Sequence, residues 1–224
     1  LGTKQADDTL VYEEQDSGWF THLHESSSGR FCVIAGGDHE TSEQRLIDLD
    51  NPEAPPRLVA AREEGVQYSL ADRGDELFIL TNADGAIDFK VVTAPLASPE
   101  RANWRDMIPY REGVYVLDVE LYAGHMVRLE RANALPAIVI RDLASGEEHA
   151  IAFDETAYSL DTMGGYEFQT TNLRFSYSSM TTPSEVFDYD MTSRTRVLRK
   201  RQEIPSGHNP ADYVTTRIMA TSYD

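Results

Sequence analysis

Short apolar runs that alternate or are rich in β-branched residues recur along the whole chain, and each is closed by Gly, Asn, Asp, Ser or Pro. Examples are FCVI at 31–34, LFIL at 77–80, KVV at 90–92, AIVI at 137–140 and LRFSY at 173–177. No stretch longer than about ten residues keeps the i, i+3, i+4, i+7 spacing of an amphipathic helix. Strands bounded by turn-forming residues indicate an all-β protein.

These strands repeat along the chain. Four segments align on their second and third strands: FCVIAGGDHETSEQRLIDLD, ELFILTNADGAIDFKVVTAP, HMVRLERANALPAIVIRDLA and LRFSYSSMTTPSEVFDYDMT. Val33, Phe78, Val127 and Phe175 share one column at spacings of 45, 49 and 48 residues, so we expect equivalent buried positions. A first strand precedes each pair and a fourth follows it. Four strands per unit at a period in the mid-forties predicts β-propeller blades.

The repeat divides the chain into blades at about 17–64, 65–111, 112–155 and 156–204. LVYEE at 10–14 is predicted to be the outermost strand of an earlier blade, and a β-rich run at 213–220 follows a loop outside the repeat. The first residue is Leu rather than Met, so we expect a piece of a longer chain. An open array exposes strands that normally have neighbours, which favours self-association through the first or last blade.

Charge and cysteine content narrow the possible partners. The 20 Lys and Arg against 38 Asp and Glu give a net charge of −18, which argues against a nucleic-acid surface and favours cationic partners. No apolar run approaches the ~18 residues of a membrane span, so no membrane partner is expected. Cys32 is the only cysteine and can form no intramolecular disulfide. We therefore expect a reducing, cytoplasmic location.

Motifs for catalysis or metal binding are absent from the sequence. It contains no G-x-S-x-G nucleophile elbow, no H-E-x-x-H and no C-x-x-C. His22 and His24 share one side of a predicted strand but have no third ligand nearby, so a solvent-facing pair is favoured. Nothing selects one carboxylate pair for glycoside hydrolysis. We expect no catalytic residue, no cofactor and no metal in this chain.

The turns that join second to third strands carry many acidic residues. A blade runs from the central channel outward, so these turns, at 37–43, 83–88, 131–136 and 179–184, should lie on one side of the array. By this register we predict that residues 178–183 and six carboxylates lie together on or near that side. The six are Asp38, Glu40, Glu43, Asp84, Asp88 and Glu130.

Several segments resemble one known family. LVYEE, DHETSE, TNADGAIDFK, VRLER, FDETAYSL, YSSMTTPSEVFDYDM and QEIPSGH are similar, in consistent order, to the propeller of oligopeptidase B-type members of the prolyl oligopeptidase family of serine peptidases. The resemblance implies a seven-bladed parent propeller, of which about four blades lie here, followed by an α/β-hydrolase domain that carries the triad. The chain alone should then be inactive. The parent enzyme should cut short peptides, after Arg or Lys.

The resemblance also implies a role for the acidic turns. In related enzymes the turn matching 37–43 approaches the active site, so candidates for lining the access cleft are Asp38, His39, Glu40, Glu43, Asp84, Asp88, Glu130, Ser179 and Thr181. Expected partners are basic peptides, the remaining blades and the hydrolase domain. Two alternatives remain open: a stand-alone binding or scaffold propeller that uses its acidic side, and a carbohydrate-active propeller.

Overall fold

The computed structural model describes residues 2, 4–164 and 167–223, and the chain forms two compact units, Leu1–Tyr110 and Arg111–Asp224. The described residues form four four-stranded antiparallel sheets, two in each unit, and in each sheet the strands follow the chain order. The predicted all-β fold is confirmed. No helix among the described residues has the length and apolarity needed to cross a membrane.

In the first unit the strands are β1 (Phe20–Glu25), β2 (Phe31–Gly37), β3 (Ser42–Asp48), β4 (Arg57–Ala60), β5 (Tyr68–Arg73), β6 (Glu76–Thr81), β7 (Lys90–Pro95) and β8 (Arg105–Ile108). In the second unit they are β9 (Val114–Leu121), β10 (His125–Ala132), β11 (Leu135–Asp142), β12 (Glu148–Ala150), β13 (Ser159–Thr162), β14 (Asn172–Ser178), β15 (Glu185–Asp190) and β16 (Thr195–Arg201). Single 3₁₀ turns occur at Gln5–Asp7, Ala83–Gly85, Arg101–Asn103 and Pro210–Asp212.

Each unit has an apolar core between its two sheets. In the first unit Val33 and Leu46 of the first sheet pack with Leu77 and Ile79 of the second. In the second unit Val127, Ile138 and Ile140 pack with Leu173 and Phe175. Stacking buries the apolar faces that the two sheets of a unit turn towards each other and so removes them from water.

The aligned column is buried at all four positions, with exposed fractions between 0 and 3%. Its expected equivalence, however, is wrong at Phe175. Val127 and Phe175 lie in the same core cluster, and therefore on facing sides of neighbouring sheets. Successive strand residues point to opposite faces, so an alignment displaced by one residue in the fourth repeat reverses the face.

Two predicted strands outside the repeat form no ladder within the described chain. Residues 10–14 and 213–220 are assigned no strand. Their pairing with chain outside this sequence stays a prediction. Self-association also stays a prediction, although β1 and β16 are exposed at every residue.

The hairpin between β10 and β11 has a turn that strains one residue. Ala132 pairs with Leu135, and both residues between them have positive φ: 50° at Asn133 and 61° at Ala134. A two-residue hairpin of this type requires positive φ at both central positions, which Asn tolerates better than Ala.

We expect Ala134→Gly to stabilise the protein by about 1 kcal/mol, because glycine removes the left-handed strain of an L-residue. Ala137→Gly is the matched control, since Ala137 lies in the extended strand β11, opposite Glu130. There glycine should cost about 0.5–1 kcal/mol. Urea unfolding of both variants measures the difference, and a loss of stability in Ala134→Gly would contradict it.

Candidate functional site

The turn between β2 and β3 is built by Asp38. Its carboxylate accepts hydrogen bonds from the backbone N–H groups of Glu40 and Thr41, at 2.8 and 2.7 Å. These bonds, that of Glu40 first, lower the pKa of Asp38. Gly37 is needed beside it, because a Cβ there would lie 2.9 Å from the Thr41 carbonyl oxygen. Asp38 therefore shapes the turn, and its carboxylate is already engaged.

Glu43 is also engaged, in a buried ion-pair cluster. It is 6% exposed, and its carboxylate lies 2.8 Å from Arg45 Nη2 and 3.5 Å from Arg62 Nη2. Arg62 donates its backbone N–H to the same carboxylate at 3.2 Å. A buried carboxylate needs such partners because an unpaired one carries the full cost of desolvation.

Arg62 ties the segment before β1 to this cluster. Its guanidinium lies 2.8 Å from the Glu14 carboxylate and 3.6 Å from the ring centroid of Trp19. Tyr12 donates its hydroxyl to Glu14 at 2.8 Å. The hydrogen bond from Arg62 is the largest of the interactions that lower the pKa of Glu14 to about 2.

Glu40 differs from its neighbours in the turn. It is exposed, and within the ranges that the structure describes its side chain makes no ion pair or hydrogen bond. His39 is exposed beside it, with its ring 6.1 Å from that of Phe20, and its carbonyl accepts the Gln67 side-chain amide at 2.8 Å. The charge that this turn offers to solvent is therefore concentrated at Glu40.

The corresponding turn of the second sheet is fixed by lysine and arginine. Lys90 lies 3.1 Å from Asp84 and 2.8 Å from Asp106, and Arg101 lies 2.7 Å from Asp84. The Lys90 bond is the main cause of the lowered pKa of Asp84. Asp88 accepts the Tyr110 hydroxyl at 3.4 Å.

Residues 65–67 connect the two turns of the first unit. Gly65 N–H donates to the Thr41 hydroxyl at 3.1 Å, and Gln67 N–H donates to the Asn82 side chain at 2.7 Å. The two turns thus lie on the same side of this unit.

Glu130, in the second unit, is a buried structural acid. It is 5% exposed and pairs with Arg111 at 2.5 Å and with Arg128 Nε at 2.8 Å. Arg128 is itself only 1% exposed and also binds Glu148 at 2.8 Å. Glu130 holds the third sheet together and offers no free charge to a cleft.

Ser179 and Thr181 belong to a network centred on Glu155, which the sequence analysis did not single out. Glu155 accepts hydroxyl hydrogen bonds from Tyr177 at 2.8 Å, Thr181 at 3.0 Å and Thr182 at 2.6 Å. Burial acts to raise the pKa of Glu155, but the surrounding hydroxyls together lower it. The acid precedes the repeated Tyr-Ser-Leu by only a few residues, and no local pattern links it to the turn.

The tail of the chain contacts the turns of the second unit. His208 Nε2 lies 2.7 Å from the Thr181 carbonyl oxygen, Thr156 donates to the Thr215 carbonyl at 3.0 Å, and Arg217 donates to the Asn133 carbonyl. Both turns of this unit therefore face the same segment of chain.

No described group of three or more His, Cys, Asp or Glu side chains is placed to hold a metal ion. His22 and His24 are exposed on β1. Thus the structure gathers hydroxyls and carboxylates at the turns of each unit, most of them already bonded, with Glu40 the clear exception.

Comparison with known proteins identifies the fold. The family model described as the prolyl oligopeptidase N-terminal β-propeller domain matches residues 1–202. The chain belongs to this family. The family predicted from the sequence is confirmed.

Relatives of this prolyl oligopeptidase propeller are peptidases several times longer. Dipeptidyl aminopeptidase BI of Pseudoxanthomonas mexicana is 38% identical over 225 residues, which are 100% of this chain and 31% of that protein. Protease 2 of Moraxella lacunata is 26% identical, over 99% of this chain and 31% of its own length. The structure of oligopeptidase B from Leishmania major has a TM-score of 0.91 at 25% identity, covering 100% of this chain and 33% of that one. The chain thus spans about a third of these relatives.

In this propeller the Glu14–Arg62 pair should make the free energy of unfolding fall as the pH is lowered. The folded pKa of Glu14 is lowered, so its contribution is complete above its ordinary pKa and is lost as pH falls towards about 2. The free energy of unfolding of Glu14→Gln should therefore fall less between pH 6 and pH 2.5 than that of the unsubstituted chain. Urea unfolding followed by the fluorescence of Trp19, which contacts Arg62, and of Trp104 measures this.

Glu13→Gln is the matched control, because the exposed Glu13 carboxylate contacts only the Gln15 side chain. Its acid sensitivity should equal that of the parent protein. An unchanged pH dependence in Glu14→Gln would show that the Arg62 pair does not contribute.

Proposed function

We propose that this chain is a non-catalytic, substrate-admitting part of the propeller of a serine oligopeptidase that hydrolyses short peptides after Arg or Lys. The main support is the family match over residues 1–202, with peptidase relatives of which the chain covers only 31%. The sequence has no G-x-S-x-G elbow. Catalytic groups must then come from elsewhere in the parent enzyme.

The proposed role is steric and electrostatic. A propeller in front of an active site excludes folded proteins and admits extended peptides. Surface carboxylates raise the local concentration of cationic peptides, and salt weakens the effect because it screens over about 8 Å at physiological strength. Glu40 is the turn carboxylate best suited to this role, since it is exposed and unbonded among the described residues.

A second candidate activity comes from one relative. The 38% identical protein is named a dipeptidyl aminopeptidase, so release of dipeptides from a free amino terminus is the alternative to cleavage within a peptide. The two activities differ in one requirement, because only dipeptide release needs an unblocked amino terminus. We also propose a cytoplasmic location, since Cys32 is a free thiol and has no disulfide partner.

The full-length parent should hydrolyse short peptides with Arg or Lys before the cleaved bond much faster than matched peptides with Gln there. The present chain alone should neither hydrolyse them nor react with an organophosphonate serine probe. Acetylated and free peptides of the same sequence separate the two candidate activities. Labelling of the chain alone, or equal rates for Arg and Gln peptides, would refute the proposal.

Within the full-length enzyme, Glu40→Gln should raise KM for dibasic peptides about two- to fivefold, the range expected for one exposed charge. KM for monobasic peptides and kcat should change less, because Glu40 steers and does not take part in bond chemistry. Glu53→Gln, in the exposed turn between β3 and β4, removes the same charge as a control. Equal KM changes for both peptide classes would assign Glu40 to the turn alone.

A further inference from the structure

The second unit contains a groove that is lined by none of the site residues predicted from the sequence. It has a volume of about 590 Å³ and lies between β9 and β13, the first strands of the third and fourth sheets. Arg131 and Pro136 at the β10–β11 turn close one end of it. The groove is therefore on the turn side of this unit, where Ser159 at the start of β13 pairs with Ser178.

Two carboxylates in this groove remain available. Asp118 and Asp161 both line it and both are exposed, and neither makes an ion pair within the part of the chain that the structure describes. Asp118 accepts only the neighbouring Val119 N–H, at 2.8 Å. By contrast, Glu130 in the same sheet is bound by two arginines.

The fold directs these groups into the groove. Asp118 stands opposite Leu129 in the β9–β10 ladder, and Leu129 packs against the core between the two sheets. Asp161 follows Leu160, which is buried in that core, so its side chain leaves the opposite face of β13 and lines the groove at the edge of the strand. The carboxylates thus sit at the edge of an apolar surface to which Leu129, Leu160 and Pro136 contribute.

Tyr158 adds a rigid aromatic wall. Its ring packs against Phe153 at 5.1 Å and Tyr177 at 5.7 Å between centroids. A fixed aromatic face next to carboxylates gives the methylene groups of a long basic side chain an apolar surface to lie on. Among the described residues that line the groove, Arg131 is the one basic side chain beside Asp118 and Asp161, while Arg217 of the tail is bonded nearby to the Asn133 carbonyl.

These features match a long basic side chain, which has an aliphatic stem for the apolar surface and a cationic head for the carboxylates. We propose that this groove binds a Lys or Arg side chain of a peptide substrate at a position away from the cleaved bond. The inference rests on the proposed peptidase function for its substrate. It assigns Asp118 and Asp161 to the cationic head, Tyr158 to the stem, and Arg131 to limiting the groove to one cation.

Binding can be tested in the full-length protein after treatment with an organophosphonate serine probe, so that peptides are not consumed. The ligand is a fluorescein-labelled octapeptide of alternating Lys and Ala, compared with its Gln and Ala analogue. Asp118→Asn with Asp161→Asn should weaken binding of the lysine peptide about tenfold and leave the glutamine peptide unchanged. Arg131→Gln should strengthen binding of the lysine peptide about two- to threefold.

Asp50→Asn with Glu53→Gln is the matched control, since it removes two exposed charges from the β3–β4 turn in the other unit. It should change neither affinity by more than about twofold. Equal binding by parent and groove variants would overturn the proposal, as would an equal loss in the control. Thermal unfolding confirms that each variant is folded. Arg131→Gln is a second test of the groove, because it should raise the affinity for the lysine peptide where the aspartate variant lowers it.

Kinetics then separate this inference from the proposed function. In the untreated enzyme, the Asp118 and Asp161 variant should lower kcat/KM about tenfold for peptides with a remote lysine, and leave single-residue chromogenic substrates unchanged. An inactive full-length protein would refute the peptidase proposal, while the binding result would still decide the groove. Unchanged kcat/KM together with unchanged affinity would remove the groove from substrate recognition.

Discussion

A sheet with an apolar face is stable only when that face is covered by another sheet, and this constraint governs both units of the protein. β6 shows it most directly: Leu77 and Ile79 pack into the core shared with the first sheet, while Phe78 and Leu80, on the opposite face, are also buried. Alternation along a strand then offers no polar face to water. In a strand of this kind, side chains that could serve a ligand are restricted to the strand ends and the adjoining turns.

Most acidic side chains in the turns are bound by partners within the protein. Glu43 and Glu130 are each paired with two arginines, and removing Arg128, the one of these arginines that is itself buried, should cost about 3–5 kcal/mol. Asp38 and Asp84 are satisfied by backbone N–H groups and by Lys90 with Arg101. The net charge of −18 thus overstates the charge available to a partner. Glu40, Asp118 and Asp161 have no ion-pair partner among the described residues, so a cationic partner can reach their charge.

In the role that we propose, this propeller segment acts through what it admits and excludes. The groove between β9 and β13 and the exposed turn at Glu40 are places where a passing basic peptide would meet unbonded negative charge. They lie in different units of the chain.

The sequence alone determined the repeat of four strands and the all-β fold, because strand alternation and turn residues are local properties. The family followed from the resemblance of segments such as YSSMTTPSEVFDYDM at 177–191. Local patterns could not determine which face Phe175 occupies, since a displacement of one residue reverses it. Nor could they show that Arg62 binds Glu14, 48 residues earlier, or that Thr182 binds Glu155. The groove between Asp118 and Asp161 exists only once two sheets have stacked. Those features depend on distances between separate strands, which tertiary packing decides and residue spacing does not encode.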